Sequence, residues 1–440
     1  MLCIFTTNCN CDIIYMVIKL ENIYDMLGIN KEILNKSQTI EKELSDIYKR
    51  VENIALYNQA KVMKAFKECK VSTTHFGKTT GYGYDDIGRE VIESIYAKIF
   101  NTEDSLVRIQ FVNGTHTIST VLQALLNRND KLLALTGRPY DTLCEVIGIT
   151  KNPLSLISKG VEYDEIDLME NGKPNIEKIC SYISKNKVKL VHIQRSRGYS
   201  LRDALTIADI ENIVKNVRGI DKDVLIMVDN CYGEFTEKLE PTDVGADIVC
   251  GSLIKNPGGG LCETGGYIAG RHDLIELCSQ TLTCPGIGKE CGATLGQNRY
   301  ILQGLFMAPT IVKNALKSAI FSSALLEGLG FNVYPKKDDI RSDIVQVIKF
   351  NDKEKLIKFI QGIQEASPVD SHVVPYPWAM PGYDSDVIMA AGTFIDGASI
   401  ELSADSPIKE PYVAYMQGAL TYESAKLAIC RAISKMMYGE

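Results

Sequence analysis

From about residue 107 to residue 270, short and nearly continuous apolar runs alternate with longer amphipathic stretches. VRIQFVNG leads into THTISTVLQALLNR. KLLALTG, KLVHIQRS, VLIMVDN, ADIVCGSLIK and GGYIAG follow at intervals that leave room for helices. A run apolar at successive positions, not at every second one, predicts a strand buried on both faces, as in a parallel sheet. Strands alternating with helical periodicity predict a doubly wound α/β architecture. Upstream, residues 31–70 carry apolar positions at helical spacing without Pro or Gly, which predicts helix. A Gly- and Tyr-rich loop, THFGKTTGYGYDDIGRE, separates them from a second helical stretch, EVIESIYAKIF, and residues 290–330 again read as helix. Beyond residue 331, strand-like segments such as IVQVIKF and DVIMAAGTF mix with helices and predict a smaller α+β unit. The expected organisation is therefore a helical segment 1–70, a large α/β domain 71–330 and a small C-terminal domain 331–440. Residues 1–15 read as a frayed arm or an extension from an upstream start.

Composition narrows the function classes. The chain has 440 residues, 45% hydrophobic, and a formal net charge of −7. It carries no basic stripe of the kind that nucleic-acid binders use, and no apolar run approaches the roughly 18 residues of a membrane helix. An odd 13 cysteines, without paired CxxC clusters, argue against a secreted disulfide framework and against a metal site. The N-terminus lacks a basic n-region and a small-residue cleavage site. These features predict a reduced, cytoplasmic enzyme without metal, membrane or nucleic-acid partner.

In open α/β sheets, ligands bind beyond the carboxyl ends of the strands, so the residues ending each run are the candidates. VLIMVDN ends on Asp229, a carboxylate that is costly there unless paired; a loop-capping acid is the structural alternative. ADIVCGSLIK ends on Lys255. Desolvation favours the neutral amine, and a neutral amine can attack an aldehyde to form a Schiff base; a solvent-facing lysine is the alternative. Gly258 to Gly260 would let the backbone approach a bulky ligand. Gly114 and Thr115 open the helix after VRIQFVN, where free N–H groups and the dipole suit a phosphate, although Thr115 also suits a plain N-cap. Tyr140 follows KLLALTG, as a packing aromatic or a ring partner. A phosphate cradle, an acid, a lysine and an aromatic at one sheet edge together match the needs of pyridoxal phosphate.

The motifs TTGYGYDDIGRE, NGTH, GRPYDTL, HIQRSRGYS, VDNCYGEF, GSLIKNPGGG, CPGIGKECGATLGQNR and GASIELSAD, in this order from about residue 20 onward, carry a resemblance. The chain resembles the pyridoxal-phosphate enzymes of the aspartate-aminotransferase fold type (fold type I). Within them it is similar to the aluminium-resistance or methionine gamma-lyase-like family, relatives of the cystathionine lyases. The resemblance implies that Lys255 is the Schiff-base lysine and that Asp229 pairs with the pyridine nitrogen. It implies that Gly114, Thr115, His116 and Ser252 hold the phosphate, and that Tyr140 stacks on the ring and moves protons. Gln194, Arg195 and Arg197 end another strand that faces the site. Tyr84 lies in the loop that, in the relatives, reaches the neighbouring subunit's phosphate, which implies a homodimer or homotetramer with shared active sites. Asp86 stands where the relatives carry an arginine, with Arg89 as the substitute, and Ile254 replaces the threonine that precedes their lysine. No arginine occurs between Arg341 and Arg431, so the grip on the substrate carboxylate falls to Lys409, Arg195 or Arg197. The implied activity is a carbon–sulfur lyase that eliminates a thiol-type leaving group from cystathionine, cysteine or methionine, giving keto acid and ammonia. An aminotransferase, a racemase or a low-turnover cofactor-binding resistance protein are the alternatives. His75 reads as structural.

Overall fold

The computed structural model describes residues 25–380 and 385–439; the expectation for residues 1–15 lies outside them. Seven strands form the large sheet: β1 (Asp104–Arg108), β2 (Lys131–Ala134), β3 (Glu162–Glu165), β4 (Leu190–Gln194), β5 (Leu225–Asp229), β6 (Ile248–Ser252) and β7 (Gly266–Gly270). Their order is β1-β7-β6-β5-β4-β2-β3. The pairings β6–β5, β5–β4, β4–β2 and β2–β3 are parallel, and β7 runs antiparallel to both β6 and β1.

The uninterrupted apolar runs have a direct packing cause. Along β5, Ile226 and Val228 enter one core cluster while Leu225 and Met227 enter the other, so both faces are dry. On the first face lie Ile179 and Ile183 of helix Ile176–Ile183 and Ile210, Ile213 and Val217 of helix Ile207–Ile220. On the second lie Ile118, Val121 and Leu122 of helix Gly114–Leu125 and Leu274, Ile275 and Cys278 of helix His272–Leu282.

Two strands differ from expectation. β1 begins at Asp104 and stops at Arg108, so only its last two residues belong to the run VRIQFVNG; the chain then turns to reach the helix at Gly114. β3 is EYDE, largely exposed at the sheet edge, and carries no apolar run that would announce it.

A second sheet holds β8 (Asn332–Tyr334), β9 (Val345–Lys349), β10 (Val387–Ala390), β11 (Ser403–Pro407) and β12 (Val413–Gln417), in the order β10-β11-β12-β9-β8 and antiparallel throughout. Helices Lys353–Glu365 and Tyr422–Tyr438 pack together beside it. The 30-residue helix Asn298–Glu327 touches β8, β9 and the short turn after Lys255 and so joins the two sheets. Helix Ser45–Glu68 lies along that long helix. Helix Lys31–Glu43 is fastened to the C-terminal helix: Lys426 Nζ meets Glu41 Oε2 at 2.6 Å, and the Asn30 N–H donates to Ser434 Oγ at 3.0 Å. Among the described residues, no helix is long and apolar enough to cross a membrane.

Candidate active site

Parallel neighbours β4, β5 and β6 end side by side, and their ends bring the candidate residues together. Asp229 is the last residue of β5, 5% exposed, with Oδ1 accepting the Cys231 N–H at 3.1 Å. Its charge is felt by Lys255, Tyr140, Cys231 and His192, which therefore surround one carboxylate. β6 ends at Ser252, and Leu253 and Ile254 lead through a turn to Lys255, whose Nζ lies 4.0 Å from the centroid of the Tyr232 ring.

Gly114 closes the other side. A Cβ placed there would stand 3.4 Å from Cys231 Sγ, 3.5 Å from Ser252 Cβ and 4.0 Å from Lys255 Nζ. The helix beginning at Gly114 is capped by Asn113, whose side chain accepts the His116 N–H at 2.9 Å while its carbonyl takes the Thr117 N–H at 3.1 Å. The N–H groups of Gly114 and Thr115 lie before the first intrahelical bond and remain to be satisfied from outside. Ser252 faces this turn, 1% exposed, with a hydroxyl that has no hydrogen-bond partner. A buried orphan hydroxyl costs free energy unless a ligand completes it. Two unclaimed N–H groups at a helix N-terminus, this hydroxyl and a nearby lysine fit a phosphate-bearing aldehyde.

Tyr140 caps helix Asp141–Ile147, and its hydroxyl lies 3.1 Å from Thr115 Oγ1. Burial and the Asp229 charge raise its pKa, so it is a neutral hydroxyl able to give a proton. Tyr140 and Gln194 line an open cleft of about 1000 Å³, which also takes in Arg197, Arg202 and Lys409. Lys409 is exposed there.

Several expectations are corrected. Lys255 does not reach neutrality by desolvation. Burial pushes its pKa down, but Cys231, Tyr232, Asp229 and Tyr140 outweigh it and the net direction is up; the free side chain is an ammonium over the Tyr232 ring, a favourable arrangement. The glycines after it do not keep space open for a ligand. A Cβ on Gly258 would meet Leu253 O at 1.7 Å, one on Gly259 would meet Gly304 O at 2.3 Å, and one on Gly260 would meet Leu420 Cδ2 at 2.3 Å. Gly258 is confined by its own loop, Gly259 by the long helix and Gly260 by Leu420. Arg195 is fully buried and committed to Asn230 Oδ1 (2.8 Å), Gly233 O (2.9 Å), Glu237 (3.0 Å) and Glu240 (3.5 Å), so it does not present a free guanidinium to the cleft. Arg197 is also buried and leans on Asp343 at 3.4 Å, yet it lines the cleft. The His116 ring is turned back, its Nδ1 accepting the Val112 N–H at 3.2 Å.

Arg89 does not stand in for the missing loop arginine. It is buried and donates to Gly83 O (2.6 Å), Gly292 O (2.8 Å) and Glu290 O (3.2 Å). Asp86 is accounted for as the N-cap of helix Ile87–Ile99, accepting from Arg89 N at 2.9 Å and from Thr294 and Asn298. Tyr84 is 56% exposed, stacked on Tyr82 with centroids 5.6 Å apart, outside the group around Lys255 in its own chain.

Three residues beside the site escaped the sequence reading. Tyr232 sits on the turn after β5 at φ 70°, and no periodicity marks it. Asn113 is announced only by its position before a helix. His192 lies inside β4, on the face it shares with Gln194 and, across the parallel register, with Asp229. It is 1% exposed, neither ring nitrogen has a partner, and burial lowers its pKa against the pull of Asp229. Among the described residues, no group of three His, Cys, Asp or Glu side chains is arranged to hold a metal ion.

Residues 33–437 match the methionine gamma-lyase family. YnbB of Bacillus subtilis, an uncharacterized protein, is 48% identical over 94% of this chain and 99% of its own. The crystal structure of a carbon–sulfur lyase involved in aluminium resistance from Clostridium novyi is 50% identical and superposes with a TM-score of 0.92, covering 95% of this chain and 99% of that one. Cystathionine gamma synthase from Xanthomonas oryzae, at 15% identity, 83% and 88% coverage and a TM-score of 0.56, shares the fold. The chain belongs to the methionine gamma-lyase family of carbon–sulfur lyases and has the fold type I architecture of pyridoxal-phosphate-dependent enzymes.

Proposed function

We propose that this protein is a pyridoxal-phosphate-dependent lyase that breaks a carbon–sulfur bond of an amino acid and releases a keto acid and ammonia. The observation that carries this reading is the convergence on one point of the Lys255 amine, the Asp229 carboxylate and the orphan Ser252 hydroxyl beside the helix start at Gly114. The cofactor, when bound, would act as the electron sink for charge developing at the substrate's alpha carbon.

Lys255 would hold the cofactor's aldehyde carbon and, once freed by the substrate amine, take the alpha proton. Asp229 would keep the ring nitrogen protonated. Ser252 Oγ and the N–H groups of Gly114 and Thr115 would take the phosphate, with His116 contributing through its place in the same turn. Tyr140, its hydroxyl steadied by Thr115, would lie against the ring and return a proton to the leaving sulfur. Gln194 would position the cofactor from the end of β4. Arg197 and Lys409 face the same cleft from opposite units and are the two of its cations assigned to the substrate carboxylate; Lys409 offers a point charge where arginine would offer a fork. The exposed Tyr82–Tyr84 stack suits contact with a second copy of the chain, as a homodimer or homotetramer. The described cysteines are all free thiols, which suits the cytoplasm.

The test is the visible spectrum of the purified protein with added pyridoxal phosphate, wild type beside Lys255→Ala, with keto acid measured from L-cystathionine, L-cysteine and L-methionine. A lysine-dependent yellow band and keto acid from one of them support the reading. A colourless wild type overturns the cofactor assignment. An aminated cofactor accumulating without thiol release would favour transamination.

A further inference from the structure

A second cavity, of about 220 Å³, opens on the small-sheet side of Tyr232, the same ring over which the Lys255 ammonium lies. Its polar lining includes Tyr199, Thr393, Ser399, Ser403, Asp405 and Gln417, with Tyr415 beside them. The unusual member is Asp405. It lies on β11, paired with Tyr415 on β12 and Met389 on β10, and is 5% exposed. Tyr199 donates to its Oδ2 at 2.8 Å. Tyr415 in turn donates to the Tyr199 carbonyl at 3.0 Å, with its ring edge-on at 5.1 Å, which fixes Tyr199 in place.

Among the described residues, no lysine, arginine or histidine forms an ion pair with Asp405. Burial alone lifts its pKa to about 6, against the lowering effect of Tyr199. A buried carboxylate without a counter-ion is expensive, and here it borders a cavity much larger than one water. That combination is what a site for a cationic group looks like before its ligand arrives. The Tyr232 ring that lines this cavity also carries the Lys255 amine, the point to which a substrate's first amino group must go.

We propose that this cavity binds the distal ammonium of a substrate that carries a second amino group beyond its sulfur, with Asp405 as the counter-ion. The proposal rests on the lyase reading above and narrows its substrate class to diamino thioethers. A short methylthio side chain would leave the carboxylate buried and unpaired. The titratable groups facing Asp405 are Tyr199 from the loop after β4, Tyr415 from β12 and Tyr232 across the cavity; Met389 on β10 does not titrate. Arg197 acts on Tyr415 from the neighbouring cleft. Ordinary tyrosines ionise near pH 10, so between pH 5 and 8 Asp405 is the group in this cavity whose charge changes.

The test measures binding by calorimetry on the cofactor-loaded protein, with two ligands that cannot undergo carbon–sulfur cleavage: L,L-2,7-diaminosuberate and L-2-aminosuberate, which lacks the second amine. The wild type is expected to bind the diamino ligand at least tenfold more tightly at pH 8. The ratio should fall towards one at pH 5, where Asp405 is protonated; changes at the first amine cancel because both ligands share it. In Asp405→Asn the ratio should be close to one at both values. Equal affinities in the wild type, or a gap unchanged at pH 5 or in the variant, overturn the proposal. The wild-type pH series decides the matter if the variant does not fold. Keto acid from L-cystathionine is measured separately: its absence beside an Asp405-dependent gap would reject the lyase reading and keep the site.

Discussion

Gly258 and Gly304 meet backbone to backbone: a Cβ on Gly304 would stand 2.2 Å from the Gly258 carbonyl oxygen. Through this contact the long helix Asn298–Glu327 sets the height of the loop that carries Lys255. Gly304→Ala must push the loop away or bend the helix, and over-packing of this kind costs ~1–3 kcal/mol. The expected result is a lower unfolding temperature together with weaker retention of pyridoxal phosphate, read from the absorbance lost on dialysis. Gly286, with nothing within 4 Å of its added Cβ but a φ of 88°, serves as a control for backbone strain away from the site; Gly286→Ala should lower stability without loosening the cofactor.

How the sequence exposed this site, and where it did not, follows from the type of burial. β4, β5 and β6 are sandwiched between two helical layers, so nearly every position is apolar, and their ends single out Gln194, Asp229 and Lys255. β3 is an edge strand, where EYDE can remain polar. The glycines of NPGGG look the same in sequence whether they face a ligand or a helix 45 residues away, and the contact with Gly304 decides between them. Arg195 and Arg197, two positions apart at one strand end, point to the same role on paper. In the fold, Arg195 turns into a network with Glu237 and Glu240 that is assembled from a later turn, and its fate depends on partners no local pattern displays.

That difference gives a paired prediction. Removing Arg195 leaves the buried Glu240 without one of its cations, and breaking a buried pair from one side costs ~3–5 kcal/mol. Arg195→Met is therefore expected to reduce soluble yield or unfolding temperature sharply. Lys409→Ala, at an exposed position in the cleft, should leave the unfolding temperature within a degree or two and raise KM several-fold while kcat changes little. A Lys409 variant with unchanged KM would pass the carboxylate role to Arg197.

Tyr140 and Thr115 share a hydroxyl contact at 3.1 Å. Tyr140→Phe keeps the ring and removes the proton donor. Loss of a positioned general acid costs roughly 10²–10⁴ in rate, so kcat should fall by about that much with cofactor affinity nearly intact. Thr115→Val tests the supporting contact, and its rate loss should be much smaller in a background that already carries Tyr140→Phe. Additive losses in the double variant would show that the two hydroxyls do not act together.

Glu234 makes the pH dependence of stability a local question. Its side chain is fully buried: Oε1 accepts the Tyr267 hydroxyl at 2.9 Å and Oε2 has no partner. Burial lifts its pKa to about 8 from an ordinary value of 4.5, opposed by Tyr267 and the Lys255 charge and aided by Glu240. The folded state thus holds this proton over a range in which the unfolded chain has released it. Stability must then fall as pH rises from about 4.5 to about 8, because in that window the folded form binds more protons. Glu234→Gln keeps the hydrogen bond to Tyr267 and removes the titration. Thermal unfolding of the cofactor-free protein at pH 5, 7 and 9 should show the wild type losing stability with pH more steeply than the variant. Parallel curves for the two proteins would place the Glu234 pKa near that of an ordinary carboxylate and make Oε2 a solvated atom.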